Sequence, residues 1–95
     1  MATVLRLPAC LTVREARATT QSLSAQLAAA APGAAVELDA SALQQFDSSA
    51  LALLIELHRC AARQGRRLQV RGLPVRLREL AGLYGVAELV AQGVA

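Results

Sequence analysis

Short strand-like segments alternate with helix-length segments along the chain, and this alternation limits the possible folds more than any other feature. Three segments are predicted strands because they are short, rich in apolar residues and bounded by Pro, Gly or Asp: 3–7, 34–38 and 67–71. Three further segments are predicted helices: 13–30, 47–64 and 75–83. Helix-length connections favour crossovers between strands of one sheet. We therefore expect the α/β class, with a small mixed β-sheet and helices packed on it.

Boundary signals support the first two helices. Thr12 followed by Glu15 has the pattern of a capping box, in which each residue satisfies a free backbone N–H of the first turn. Asp47 is a potential N-cap of the second helix, and Gly65 closes that helix. A last short apolar segment, 86–90, follows the third helix.

The composition is that of an ordinary folded domain. Hydrophobic residues make up 55% of the 95-residue chain and charged residues 18%, which fits a globular protein. No linker or repeat divides the chain, so we expect a single domain over residues 1–95. Arg6 and Pro8 interrupt the apolar stretch at the amino terminus, and neither a signal peptide nor a membrane-spanning run is evident. These features predict a soluble, cytoplasmic protein.

The basic residues, all ten of them arginine, are concentrated in the second half of the chain. Seven lie between Arg59 and Arg78, and the net charge is +3. One interpretation is a patch for nucleic acid or anionic lipid. The other is a set of solvated faces, partly used for a protein partner. The second is favoured, because no aromatic residues interleave the arginines to stack on bases; no nucleic-acid partner is expected.

Catalytic and metal-binding patterns are missing from the sequence. It contains no Gly-rich phosphate loop and no Cys/His cluster. The single histidine, His58, follows Ser48 by ten residues, about 15 Å along a helix, which is too far for a hydrogen bond between them. We expect no enzyme, no cofactor and no metal, and His58 on the helix surface or half-buried at an interface.

Two pairs of reactive side chains have simple structural explanations. Cys10 and Cys60 lack ligand-like spacing and are predicted to be small buried apolar groups, although a disulfide stays open. Asp39 and Asp47 flank one loop and could approach each other, but a turn residue and a helix cap explain them more simply.

The polar cluster Asp47-Ser48-Ser49 begins a strongly apolar helix. The Ser48 hydroxyl is expected at the positive end of the helix dipole, where phosphorylation would add about −1.5 to −2 charges. The helix end would favour this charge and Asp47 would oppose it, as in a switch; a simple N-cap is the alternative. Apolar residues surround the helix in two stripes, and a small domain buries both with difficulty, which favours a protein interface that includes Leu53 and Leu57.

The chain resembles a STAS domain, the fold of anti-sigma-factor antagonists and of sulfate-transporter tails. The resemblance is carried by Leu38-Asp39, Phe46-Asp47-Ser48-Ser49-Ala50-Leu51, 61–65, Val70-Arg71-Gly72 and 80–86. Within the family, the runs Leu51-Ala52-Leu53-Leu54 and Leu83-Tyr84-Gly85-Val86 are most similar to the MlaB branch, cytoplasmic subunits of a bacterial phospholipid ABC transporter that maintains outer-membrane lipid asymmetry.

The resemblance implies a non-catalytic subunit that binds the transporter's MlaF-like ATPase and is thereby peripheral to the inner membrane. It places the functional hydroxyl at Ser48, with Asp47, Ser49, Leu53, Leu57 and Tyr84 as partner-binding residues. Serine stands where the MlaB branch usually has threonine, so an anti-sigma-factor antagonist phosphorylated on Ser48 by a kinase-type anti-sigma factor is the alternative. Ser49-Ala50 also stands where the family often has a glycine. A stand-alone hydrolase using Ser48 is the weakest hypothesis, because no base lies within reach.

Overall fold

The computed structural model describes residues 3–31, 33 and 35–84. A central sheet has the strand order β1-β3-β5, formed by β1 (Thr3–Arg6), β3 (Val36–Asp39) and β5 (Leu68–Arg71). Helix α1 (Val13–Ala29) connects β1 to β3, and α2 (Ser48–Arg63) connects β3 to β5. The α/β class is confirmed. A mixed sheet was expected; every strand pair among the described residues is parallel, as helical crossovers require.

The two faces of the sheet differ in burial. Leu5, Leu38 and Val70 align across the three strands and are buried. The residues next in sequence, Arg6, Asp39 and Arg71, align on the opposite face and are exposed or half-buried. This alternation directs one face of the sheet into the core beneath the helices.

Helix α2 is the centre of the core. It packs against α1, β5 and the third helix, α3 (Val75–Leu83). Residues on both of its apolar stripes are buried: Ala50, Leu51, Leu53, Leu54, Leu57 and Ala61. Most of both stripes is buried because the helix is covered from three sides, but Ile55 and Cys60 are only half-buried and Ala62 is exposed, so neither stripe is buried completely.

The predicted boundaries agree with the structure within a few residues. The capping box of α1 is confirmed: Thr12 accepts a hydrogen bond from the backbone of the first turn, and Glu15 accepts one from the Thr12 backbone N–H at 3.0 Å. Asp47 is the N-cap of α2. The predicted segment 86–90 lies outside the described residues. None of the helices in the described part of the chain is both long and apolar enough to cross a membrane.

Candidate functional site

A second pair of strands brings the beginnings of α1 and α2 together. The two-residue strand β2 (Cys10–Leu11) pairs in parallel with β4 (Gln45–Phe46). Each strand leads directly into a cap residue, Thr12 for α1 and Asp47 for α2. The two helices therefore begin side by side at one end of the domain.

Asp47 links these two helix ends through its carboxylate. Oδ1 accepts a hydrogen bond from the Ser49 backbone N–H at 2.8 Å, and Oδ2 accepts one from the Val13 backbone N–H at 3.1 Å. These bonds hold the pKa of Asp47 below its ordinary value, and the bond from the Ser49 N–H has the largest effect. The carboxylate therefore stays ionised at neutral pH and serves as a cap for both helices.

Ser48 is the first residue of α2, and its side chain is exposed. Its hydroxyl has no hydrogen-bond partner among the described residues. Ser49 is half-buried, with its backbone N–H bonded to Asp47, and the Ala50 N–H donates to the Asp47 carbonyl at 3.0 Å. Ser48 thus offers an accessible hydroxyl on a rigidly capped helix end.

An apolar surface extends from Ser48 along the outer side of α2 to the end of α3. Ser48, Ala52, Ile55 and Tyr84 surround a shallow cavity of about 320 Å³ whose floor is Leu51; we call these five residues the Ser48 surface. Tyr84 is 60% exposed and the neighbouring Leu83 is 84% exposed. Large apolar side chains left in water in this way are typical of surfaces that bind another molecule.

A second groove adjoins the Ser48 surface. It has a volume of about 360 Å³ and lies between α1 and α2, with Ala16 and Thr20 on one side and Ser49 and Ala52 on the other. Ala52 therefore lies between the two depressions, and a partner that covers the amino end of α2 would contact it from either side.

Leu53 and Leu57 do not belong to the exposed surface. Leu53 is 2% exposed and Leu57 is fully buried. Their assignment as partner-binding residues from the sequence is corrected: both mainly stabilise the core, because neighbouring elements cover the helix faces that carry them, although Leu53 reaches the groove between α1 and α2. Ala52 and Ile55 take their place at the surface. Asp47, Ser48, Ser49 and Tyr84 lie at or beside the end of the domain where the sequence placed the site.

Asp39 and Asp47 have the separate roles of a turn residue and a helix cap. Asp39 Oδ1 accepts hydrogen bonds from the Ser41 N–H and hydroxyl at 2.9 and 2.6 Å. These bonds lower the pKa of Asp39. Because each carboxylate is committed to different donors, the two do not form an acid–base pair.

His58 is more buried than the surface or half-buried position expected from the sequence. It is 9% exposed, its Nε2 has no hydrogen-bond partner, and burial lowers its pKa. It lies toward the carboxyl end of α2, remote from Ser48. Among the residues that the structure describes, no group of three His, Cys, Asp or Glu side chains could hold a metal ion.

The cysteines are free thiols and differ from the expected buried apolar groups. Both are half-buried, and each thiol donates a hydrogen bond to the carboxylate of a glutamate four or five residues away. Cys10 bonds to Glu15 at 3.3 Å and Cys60 to Glu56 at 3.6 Å. The bond to Glu15 is the largest cause of the raised pKa of Cys10.

Sequence reasoning missed the double cap formed by Asp47. A signal for it exists in the sequence: Cys10-Leu11-Thr12 and Gln45-Phe46-Asp47 each place two residues directly before a helix cap. Neither pair is long enough to be recognised as a strand by alternation, so their pairing was not predicted.

Comparison with known proteins identifies a family. The family model described as "Mlab, STAS domain" matches residues 2–91, nearly the whole chain. No curated protein matches the chain with significance.

Proposed function

Because the chain belongs to the STAS domain family, we propose that it is a non-catalytic subunit that binds the ATPase of a phospholipid ABC transporter. The observation that carries the proposal is the Ser48 surface, an accessible hydroxyl beside exposed apolar side chains. The description of the matching family model supports the MlaB branch over other branches. In this role the chain is cytoplasmic and reaches the inner membrane through the ATPase.

The chemistry of the Ser48 surface suits a protein partner. Tyr84 and Leu83 offer large apolar areas whose burial stabilises a complex by about 25 cal/mol per Å². Tyrosine is among the residues that contribute most to binding at interfaces. Ser48 adds a hydroxyl that can hydrogen-bond across the contact, and the Asp47 cap holds the backbone of the helix start that carries it. A mostly apolar surface with two hydroxyl groups and no charged side chain suits recognition and assembly rather than catalysis.

A pull-down from native cell lysate tests this proposal. The bait is the wild-type chain beside Ala52→Arg, with Ala18→Arg as the matched control; both alanines are exposed on helices, and Ala18 lies on α1 outside the Ser48 surface. We expect mass spectrometry to identify an ABC ATPase with the wild type and the control, and not with Ala52→Arg. Recovery of the same ATPase by all three chains would refute the proposed surface.

The exposed hydroxyl of Ser48 also favours a second candidate, an anti-sigma-factor antagonist controlled by phosphorylation. A phosphate on Ser48 would add about −1.5 to −2 charges next to the ionised Asp47 carboxylate. This repulsion would change the surface around Ser48 without breaking the hydrophobic core, so binding would respond more than folding.

Intact mass after incubation with the host's kinase-type anti-sigma factors and ATP separates the two candidates. The antagonist role predicts one added phosphate on the wild type and none on Ser48→Ala. The control Ser22→Ala, which changes an exposed serine on α1, should keep the phosphate. An unmodified wild-type chain would remove this candidate and leave the transporter subunit.

A further inference from the structure

A third depression, a cavity separate from the two already described, lies at the opposite end of α2 from Ser48. It has a volume of about 420 Å³ and is formed where the carboxyl end of α2 turns into β5. Arg59, Arg66 and Arg67 line it together with His58, Gly65 and Leu68. Its size falls in the range of small-molecule sites, and its lining combines an apolar floor with several polar groups.

The charged residues that line this cavity are all basic. Its described lining contains three arginines and no acidic residue. Arg59 and Arg67 are exposed, and neither forms a salt bridge with a described residue; the three ion pairs of the described chain are Arg6–Asp39, Arg63–Glu56 and Arg71–Glu37. Two guanidinium groups therefore remain available to an anion from outside.

The carbonyl groups at the carboxyl end of α2 would repel an anion in the cavity, but hydrogen bonds already occupy some of them. Gly65, with φ of +69°, ends the helix in a Schellman turn: its N–H bonds to the Ala62 carbonyl at 3.0 Å, and the Arg66 N–H bonds to the Ala61 carbonyl at 2.9 Å. Arg66 also donates to the carbonyls of Ala31 and Ala30 at 3.1 and 3.2 Å. These bonds cover the negative ends of both helices, and they fix Arg66 as a structural wall of the cavity.

His58 supplies an independent observation at the same place. The side chain is more than nine-tenths buried, yet it lines the cavity, and its Nε2 has no hydrogen-bond partner. An unpaired buried polar atom costs free energy, and most such atoms in folded proteins are paired. Nε2 itself is buried, so a ligand oxygen would give the ring a partner only when the imidazole turns toward the cavity.

We propose that this cavity binds a small phosphate-bearing molecule, with Arg59 and Arg67 pairing with the phosphate and His58 as a hydrogen-bonding group of the cavity wall. Guanidinium groups match phosphate oxygens in geometry and charge. The phosphate can belong to a free ester or to a lipid headgroup, since the two present the same group. The site is separate from the Ser48 surface, so it does not depend on the proposed ATPase contact.

Binding to two probes tests the proposal: glycerol 3-phosphate in solution, and vesicles of equimolar phosphatidylglycerol and phosphatidylcholine. The full chain is compared with the double variant Arg59→Gln/Arg67→Gln. The matched control is Arg76→Gln/Arg78→Gln, which removes the same charge from exposed positions on α3, outside the cavity. The readouts are shifts of the backbone amide signals for the soluble probe, and co-sedimentation for the vesicles.

We expect saturable binding of at least one probe, weakened tenfold or more in Arg59→Gln/Arg67→Gln and less than twofold in the control. Amide shifts that cluster at residues 58–68 would identify a free ester as the source, and binding to vesicles alone would identify a lipid headgroup. Equally weakened binding in both double variants would overturn the proposal, because the probes would then be attracted by the net positive charge of the chain and not by the cavity. Absence of binding to both probes would overturn it as well.

Discussion

The two ends of α2 are capped equally well but present opposite chemistry. At the amino end, Asp47 satisfies backbone donors, and the surface beyond it is an uncharged hydroxyl with apolar side chains. At the carboxyl end, the Schellman turn at Gly65 satisfies backbone acceptors, and the surface beyond it is rich in guanidinium groups. Since the caps saturate the helix ends, side chains and not the helix dipole decide what each end can bind.

The largest effect is expected at Gly72, which follows β5, in comparison with Gly65 at the carboxyl end of α2. Gly72 and Gly65 both have φ of +69°, but a Cβ on Gly72 would lie 2.9 Å from the Ser41 Cβ, whereas a Cβ on Gly65 would meet nothing within 4 Å. Alanine at Gly65 should cost about 1 kcal/mol from backbone strain alone, and alanine at Gly72 about 2 kcal/mol or more. The free energy of unfolding in urea measures both.

Equal losses for the two alanine variants would contradict the close packing of Gly72 against the turn after β3.

A smaller effect is expected from Asp47→Asn, which tests the double cap. The amide keeps one oxygen to accept from the Ser49 N–H but loses the second, charged acceptor for the Val13 N–H. We expect faster hydrogen exchange at the Val13 amide, with Ser49 still protected, and Asp47→Ala should release both amides. Unchanged exchange at Val13 in both variants would show that the two helix ends are not linked through this carboxylate.

Lowering the pH should reduce the stability of the domain in two steps, the first from His58 and the second from Asp47. Burial lowers the pKa of His58 from 6.5, so the unfolded chain takes up a proton first, and stability falls as the pH drops below 6.5. The pKa of Asp47 is lowered from 3.8 by its hydrogen bonds, so its contribution is present above 3.8 and is lost only as the pH falls through its lower folded value.

This pH effect is the smallest of the three and is measured by thermal unfolding across the range. In His58→Leu the decline that begins near 6.5 should disappear, while the decline at more acidic pH stays. If His58→Leu showed the same decline as the wild type, the buried neutral imidazole would not be its source.

The sequence predicted more of the fold than of the surface. Strand and helix positions followed from periodicity and from caps such as Thr12 and Asp47, which act locally. Which side of α2 faces water depends on how α1 and α3 pack against it, and no local pattern contains that information. Leu53 and Ala52 are neighbours in the chain, yet Leu53 is buried and Ala52 is exposed.

The arginine-lined cavity illustrates the same limit. The sequence shows that the arginines are clustered, but it does not show that they have different structural roles. Arg66 binds the carbonyls at the end of α1, Arg63 pairs with Glu56, and Arg59 stays free of any described acidic partner. The role of Arg66 depends on a contact with Ala31, 35 positions away, which spacing alone does not reveal.

Binding of a transporter ATPase to the Ser48 surface is best measured by titrating the purified ATPase subunit of the same organism's phospholipid ABC transporter with this chain. Calorimetry would compare the wild type, Ser48→Arg and the control Ser22→Arg, an exposed serine on α1. This binding role predicts a measurable affinity for the wild type and the control, and a loss of at least tenfold for Ser48→Arg. Equal affinity of all three chains, or no binding by the wild type, would contradict it.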